Sequence, residues 1–452
     1  MNIVCLALIN AAGDALVWVT DPDNEIRACV ATQSGPIGVG ESYTTSTDGH
    51  ILLWNWNGSL LRAVATYIPE WDEFNDIFIT NDSLISVGIT YATGTPDGFI
   101  LMTDTLGNPG WQAAIGGTDA ESFEGVSGQY ICGCTRSWDA GEDDIFLLRM
   151  QNSSIIWSYA IGGTGWDQAK DVITVEGDAV VVGLTESYGD LGQIMVMRVD
   201  QFGGIVWCKV FGGTGYDIGL LAALAGNRLI IAGKDGSYGG GILLLAVNLD
   251  DGSLIWSRLI RATGYEFPMG ILAGEEAIYI SGRHTNGGPA FLLKTNADGS
   301  LVWDKYIGGN SSDGLAYILI VPDQMVALGY TSSFGFGRRD FLFVSVDLWG
   351  YNCVGRDADF ASTEIALPGK DISPERVSIE PSMTYLANTA AEISLPGQLW
   401  CEGVEIDESS ADYPGLRGLY DCTGRQVFSE PKGPGVYFYI GERRVIKRVI
   451  LK

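Results

Sequence analysis

Five carboxylates stand at equivalent places along this chain: Glu121, Asp167, Asp217, Glu266 and Asp313. Double glycines precede four of them, at 116–117, 162–163, 212–213 and 308–309. Acids in such register could hold a cation or work as general acids and bases. A catalytic centre is single, however, and this position recurs. The acids are therefore read as turn residues that accept backbone N–H groups at the start of a strand.

The remaining chemistry-bearing residues are sparse. His50 and His284 sit alone in the turn phrases TDGH and GRHTNGG, with no Ser/His/Asp arrangement around them. The glycine-rich phrase SYGGGI at 237–242 lacks the lysine of a phosphate loop. The acidic loops at 21–25 and 141–144 could attract calcium, but neither has the spacing of a calcium loop, and both are read as solvated turns. Calcium is the one cofactor left open. The eight cysteines contain no CxxC pair. Cys132 and Cys134 alternate within one strand and are expected on the same packed face. Cys353 with Cys401 or Cys422 is a candidate disulfide if the protein is secreted.

Aromatic residues fall into two groups. Trp111, Trp157, Trp207, Trp256 and Trp303 each end a similar phrase and are expected to pack between repeats. Trp138, Tyr188, Tyr238 and Phe334 follow the same turn in successive or near-successive units. They form a candidate ligand rim on one face of the molecule, the competing reading being plain turn packing.

Charge and hydropathy narrow the function. There are 55 acidic against 27 basic residues, a net charge of −28, which repels nucleic-acid phosphates and anionic lipid. Apolar runs are short, and none approaches the ~20 residues of a membrane-spanning helix. Sixty-one glycines and 11% aromatics suit many short strands joined by tight turns.

What positions these residues is a repeat. The marker tryptophans are 46, 50, 49 and 47 residues apart. Within the unit from Trp157, strand-like runs at 169–175, 179–185, 193–199 and 205–211 are divided by glycine and aspartate, with no helical periodicity. Four antiparallel strands per period of about 44–50 residues predict a β-propeller blade, a parallel β-helix being the lesser candidate. Candidate inner strands at 24–31, 74–80, 122–128, 169–175, 219–225, 267–273 and 314–320 number seven. The expectation is an all-β, seven-bladed propeller over 1–350, a linker or irregular module over 351–410, and a small C-terminal β module over 411–452.

The last unit runs out after its third strand at 340–350. The segment 15–20 is expected to supply the missing fourth strand and close the ring, which removes open sheet edges. In the earliest units the marker erodes, since Arg62 stands where a tryptophan is expected. The opening 2–9 is a surplus strand without the basic start of a signal peptide, as a start assigned inside the gene would leave.

The phrases G-G-T-G-x-D at 162–167 and 212–217, G-x-T-x-S at 133–137 and 183–187, and D-G-S-L-V-W at 298–303 resemble the bacterial propeller repeats of the SBBP type, over roughly residues 1–350. That resemblance implies a secreted or surface protein with no common catalytic residue. The tail is similar to the C-terminal sorting domain of type IX secretion cargo. It matches through Tyr420, Asp421, Gly424 and Arg425, then Gly435, Val436, Tyr437 and Phe438, and a basic-apolar end at 447–452. The usual domain has further strands upstream. This second resemblance implies that the C-terminus engages secretion machinery. The expected function is thus a monomeric, non-enzymatic propeller, secreted or on the outer cell surface, that binds or scaffolds a protein or glycan. The alternative is a propeller hydrolase or lyase with carboxylates at its central funnel.

Overall fold

The computed structural model describes the chain except for residues 1–14, 19–23, 44–46, 57, 67–70, 81, 139–141, 190, 264, 322–323, 335–338, 351–354, 387–390, 394–396, 400–417, 422–425, 428–434, 441–444 and 451–452. Every regular element among the described residues is a strand. The fold is an all-β propeller of antiparallel sheets.

Each sheet begins with an inner strand predicted from the sequence. The unit around Trp157 is typical: Asp167–Val175, Asp178–Thr185, Gln193–Val199 and Ile205–Phe211 pair in chain order. Neighbouring sheets bury their faces against each other. Val180, Val182, Ile194 and Val196 of this sheet meet Leu229, Ile231, Leu243 and Leu245 of the next. The residues alternate because successive strand side chains point to opposite faces, and both faces here are covered.

The expected count of seven separate blades differs from the sheets observed. Five separate five-stranded sheets are joined by one ten-stranded sheet. That sheet contains Glu266–Ala273 through Leu301–Ile307 on one side and Asp313–Val346 on the other, merged by a single bridge between Arg283 and Gly314. The ring closes as predicted: Ala15–Trp18 pairs antiparallel with Asp340–Val346, from Ala15 against Val344 to Trp18 against Phe341. The surplus run at 2–9 lies outside the described residues.

A bulge recurs in every inner strand. In Asp167–Val175 the register slips between Ala169 and Asp171. Opposite the slip stands Gly183, where an added Cβ would lie 1.9 Å from the Gln168 carbonyl oxygen. The glycine of G-x-T-x-S is thus required by the backbone bulged against it. The same slip occurs at Ile26/Ala28, Phe74/Asp76, Phe123/Gly125, Gly219/Leu221, Pro268/Gly270 and Leu315/Tyr317.

Two of the five marker tryptophans tie their sheet to the next by a hydrogen bond, while Trp111, Trp256 and Trp303 bury their indole N–H without one among the described residues. Trp157 Nε1 donates to the Gln201 carbonyl at 3.0 Å and Trp207 Nε1 to the Leu249 carbonyl at 3.1 Å, both in the last turn of the following sheet. Arg62 makes the equivalent contact, its Nη1 donating to the Leu106 carbonyl at 2.6 Å and to Asn108 Oδ1 at 2.7 Å. The eroded position keeps its role with a different donor.

The segment expected as a linker or irregular module forms a belt. Short strands from 355 to 399 add a fifth antiparallel strand to the outer edge of each sheet, taking the sheets in reverse order. Gly355–Asp357 lies on Leu301–Ile307, Ala361–Glu364 on Leu254–Arg261, and Gly369–Asp371 on Ile205–Phe211. Glu375–Ser378, Ser382–Tyr385 and Ala391–Ile393 follow on the earlier sheets. Finally Gly397–Leu399 pairs with the closing strand Ala15–Trp18. The backbone N–H groups of Ala358, Ile365, Ile372, Ile379 and Leu386 donate to Asp304, Ser257, Cys208, Ser158 and Gln112 of five successive outer strands. These five positions are seven residues apart, and Ile393 continues the series. Seven extended residues reach at most about 25 Å, so the repeat sets one unit per sheet.

The tail forms its own four-stranded sheet, in the order Gln426–Val427, Gly418–Asp421, Gly435–Ile440, Val445–Ile450. Phe360, Leu367 and Ile379 of the belt are buried. Replacing Leu367 and Ile379 together by alanine is expected to cost about 4 kcal/mol or more and to lower Tm visibly. It should also speed amide exchange in Ala15–Trp18 and Asp340–Val346. An unchanged melting curve would show the belt to be passive.

Candidate functional site

The recurrent acids are where the sequence placed them, and their carboxylates are occupied. Asp167 is fully buried and accepts from Gly163 N at 2.8 Å and Ser187 Oγ at 2.6 Å. Asp217 accepts from Gly213 N at 2.8 Å, Gly236 N at 2.9 Å and Ser237 Oγ at 2.5 Å. Asp313 accepts from Gly309 N at 2.9 Å, Thr331 Oγ1 at 2.6 Å and Ser333 Oγ at 2.7 Å. Glu121 takes Gly117 N at 2.7 Å and Thr135 Oγ1 at 2.8 Å, and Glu266 takes Thr263 N at 2.6 Å. Each carboxylate knots the crossing from the preceding sheet to the second strand of its own. These are structural acids, as the repeat implied.

The candidate rim residues pack over the same crossings. Tyr188 donates through its hydroxyl to the Gly162 carbonyl at 2.5 Å and accepts from Glu375 N of the belt at 3.3 Å. Tyr238 donates to the Ala366 carbonyl at 3.4 Å. Trp138 meets Phe146 edge-on at 5.7 Å, and Phe334 packs into the core of the ten-stranded sheet. None lines the central cavity. His50 is buried, with Nδ1 at 3.0 Å from the Asp48 carbonyl, and burial pushes its pKa down to about 4. His284 lies 3.9 Å from Glu266, and burial lowers its pKa too. Neither histidine lines the cavity. Cys132 is buried and Cys134 is half-buried, its thiol 3.1 Å from Ser122 Oγ. Cys353, Cys401, Cys422, Gly424, Arg425 and the acids of 21–23 lie outside the described residues. Among the described residues no cluster of three His, Cys, Asp or Glu side chains could hold a metal, and no helix is long and apolar enough to cross a membrane.

The sequence did not locate the main concavity. A central cavity of about 880 Å³ is walled by the inner strands. The extra residue of each bulge is turned toward it: Arg27, Asn75, Glu124 and Lys170 on one side, Leu220, Met269 and Ala316 on the other. At the bulge position one wall is therefore polar and the other apolar.

On the polar wall the groups satisfy one another. Arg27 pairs with Glu41 at 2.8 Å and Glu73 at 3.0 Å and donates to Asn75 Oδ1 at 2.6 Å. Lys170 faces Glu124 at 3.5 Å, and Arg339 pairs with Glu25. Asp76 accepts from Ile77 N and from Val126 N of the next inner strand, both at 2.8 Å. Asp171 accepts from Ala222 N of its neighbour at 2.7 Å. Burial pushes the Asp76 carboxyl up to about 7. Burial, with the charge of Asp76, takes Asp171 to about 8. The sequence signal was available: charges stand inside the otherwise apolar runs NEIRACVA, FNDIFIT, SFEGVSG and AKDVITV.

No family model matches the chain, and no curated protein matches it in sequence. Among solved structures, Sqt1 from Chaetomium thermophilum is similar at 11% identity, with 70% of this chain and 82% of that chain covered and a TM-score of 0.43. The quinohemoprotein alcohol dehydrogenase ADHIIG from Pseudomonas putida HK5 is similar at 9% identity, 77% of each chain covered and TM-score 0.44. The polysaccharide lyase Uly1 is similar at 8% identity, 75% of this chain and all of that chain covered, TM-score 0.41. Likenesses this distant assign no activity.

The two raised carboxyls give a pH dependence. Unfolded aspartate titrates near 3.9, so the folded chain binds more protons between that value and about 8. Their contribution is complete at low pH and is lost as pH rises through about 8. Tm should fall between pH 5 and pH 8, and D76N with D171N should flatten that slope whatever it does to Tm at pH 5. A slope identical to wild type would show that neither group titrates there.

Proposed function

We propose that this chain is a seven-bladed, non-enzymatic propeller, secreted or displayed on the cell surface, that takes a ligand of glycan size into its central channel. The blade count is supported by the bulge shared by the inner strands from Asn24–Ala31 to Asp313–Val321. It is supported also by the belt, whose strands reach both halves of the ten-stranded sheet. On this reading the Arg283–Gly314 bridge joins two blades that touch at the channel mouth.

The observation that carries the binding role is the channel, about 880 Å³, whose bulge position is polar along one wall and apolar along the other. Ligand pockets typically span ~300–1,000 Å³ with a few polar groups on apolar lining. The hydrolase alternative needs funnel carboxylates free to exchange protons with a substrate. Asp76 and Asp171 instead accept backbone N–H groups across adjacent inner strands, which supports a role in holding the channel wall.

The tail is proposed as an export signal, resting on its likeness to type IX sorting domains. Its own sheet, formed without any propeller strand, fits a detachable address.

Two tests follow. On a glycan array, the full chain should bind a restricted set of glycans, and Leu220→Trp, which narrows the channel, should weaken that binding about tenfold or more. Equal binding by the variant would move the site away from the channel, and hydrolysis abolished by D171N would make the protein an enzyme. In a host with type IX secretion, deleting 411–452 should trap the protein inside the cell and leave the propeller's Tm nearly unchanged. Continued export would remove the sorting role.

A further inference from the structure

We infer that the channel ligand carries a carboxylate, received by Arg283; the inference rests on the channel-binding reading above. The cavity is lined by the cations Arg27, Lys170, Arg283 and Arg339. The first two and the last face carboxylates, as described. Arg283 has no acid partner among the described residues: its guanidinium lies over the face of Phe267, the guanidinium carbon 5.1 Å from the ring centroid. Of the four cations that line the cavity, the half-buried Arg283 alone has no acid within ion-pair distance among the described residues, in a chain with 55 acids against 27 bases. Buried or half-buried charge is costly unless paired, and a stacked guanidinium is held with its fork of donors free for a planar anion.

The surroundings specify what accompanies the anion. Arg283 rises from Ala277–His284, beside Phe267 and Met269 on the apolar wall. On the adjoining strand Asp313–Val321, Tyr317 lines the same cavity with a hydroxyl that has no partner among the described residues. A guanidinium, a free phenol and an apolar face suit a carboxylate attached to a sugar ring or to a hydrocarbon body. Asp76 and Asp171 line the same cavity and, where ionised, repel a second anion, so the ligand is a monoanion or bears hydroxyl groups toward them. The two sources of such a carboxylate are an acidic glycan and a fatty acid.

The test measures binding of digalacturonate and of decanoate to the full-length protein by calorimetry, each beside its methyl ester. One of the two acids should bind at least about tenfold more tightly than its ester, and the one that does identifies the source. Arg283→Gln should erase that preference, Arg283→Lys should restore part of it, and Tm should stay within a degree or two because no ion pair is lost. Esters that bind as well as the acids, in a manner Leu220→Trp abolishes, overturn the carboxylate inference and leave the channel as the binding site. Acid binding unchanged in Arg283→Gln also overturns it. If neither acid binds while the glycan array gives channel-dependent neutral ligands, the inference fails alone; if nothing binds, the channel reading fails with it.

Discussion

The ring depends on buried carboxylates that close five of its crossings from one sheet to the next. Asp167 shows how much is fixed by one side chain. It draws Gly163 N from the crossing and Ser187 Oγ from the end of the second strand onto one oxygen. The geometry leaves no room around it: a Cβ on Gly162 would lie 1.9 Å from Asp144 Oδ1, and one on Gly163 would lie 2.7 Å from the Ser187 Cβ. The double glycine, the acid and the T-x-S phrase are therefore one device written in three places. An acid in this position costs desolvation, and burial raises the pKa of Asp167 and Asp313. Charge-assisted acceptance of several donors offsets that cost, which neutral side chains would do less strongly.

That device explains why the inner architecture was legible from residues alone. The acids, the glycines and the tryptophans each have a separate steric or hydrogen-bonding duty, so their spacing repeats with the sheets. Where a marker changed, the duty survived: Arg62 reaches the Leu106 carbonyl as Trp157 reaches that of Gln201. The closing strand was legible for the same reason, since a last unit without a fourth strand leaves an edge that must be paired. The merger of two units into the ten-stranded sheet was not, because it turns on one bridge, Arg283 to Gly314, that no local pattern marks.

The belt escaped notice although its signal is present. Ile365, Ile372, Ile379, Leu386 and Ile393 recur every seven residues, but Pro368, Pro374 and Pro381 between them, with Pro396 beyond, suggest a linker. In extended chain both facts agree. Each short strand needs only a few ladder bonds on an outer edge, and proline at its ends cuts the strand before it can lengthen. The strands that result are short and studded with charge, such as GKD and ERVS, which blunts the new outer edge against pairing with other chains. Ion pairs join it to the sheets, as the buried Lys305 pairs with the exposed Asp357. Because its last strand lies on Ala15–Trp18, the belt holds the ring at the joint where the two ends of the propeller chain meet.

The channel follows a different logic from the rest of the ring. Structural demands repeat in each unit, so residues that serve them recur, and a ring built from them alone would have a uniform channel. The bulge position breaks that uniformity: Arg27, Asn75, Glu124 and Lys170 give way to Leu220, Met269 and Ala316. The bulge itself is unchanged across both sets, so the backbone does not require the difference. Nor does core packing, since these side chains face the cavity and not the sheet interfaces. A polar half and an apolar half at one structurally equivalent position support the proposal of a ligand that occupies the channel with its own two faces. This is also why repeat reasoning passed over the site: it finds what recurs, and the channel is defined by what does not.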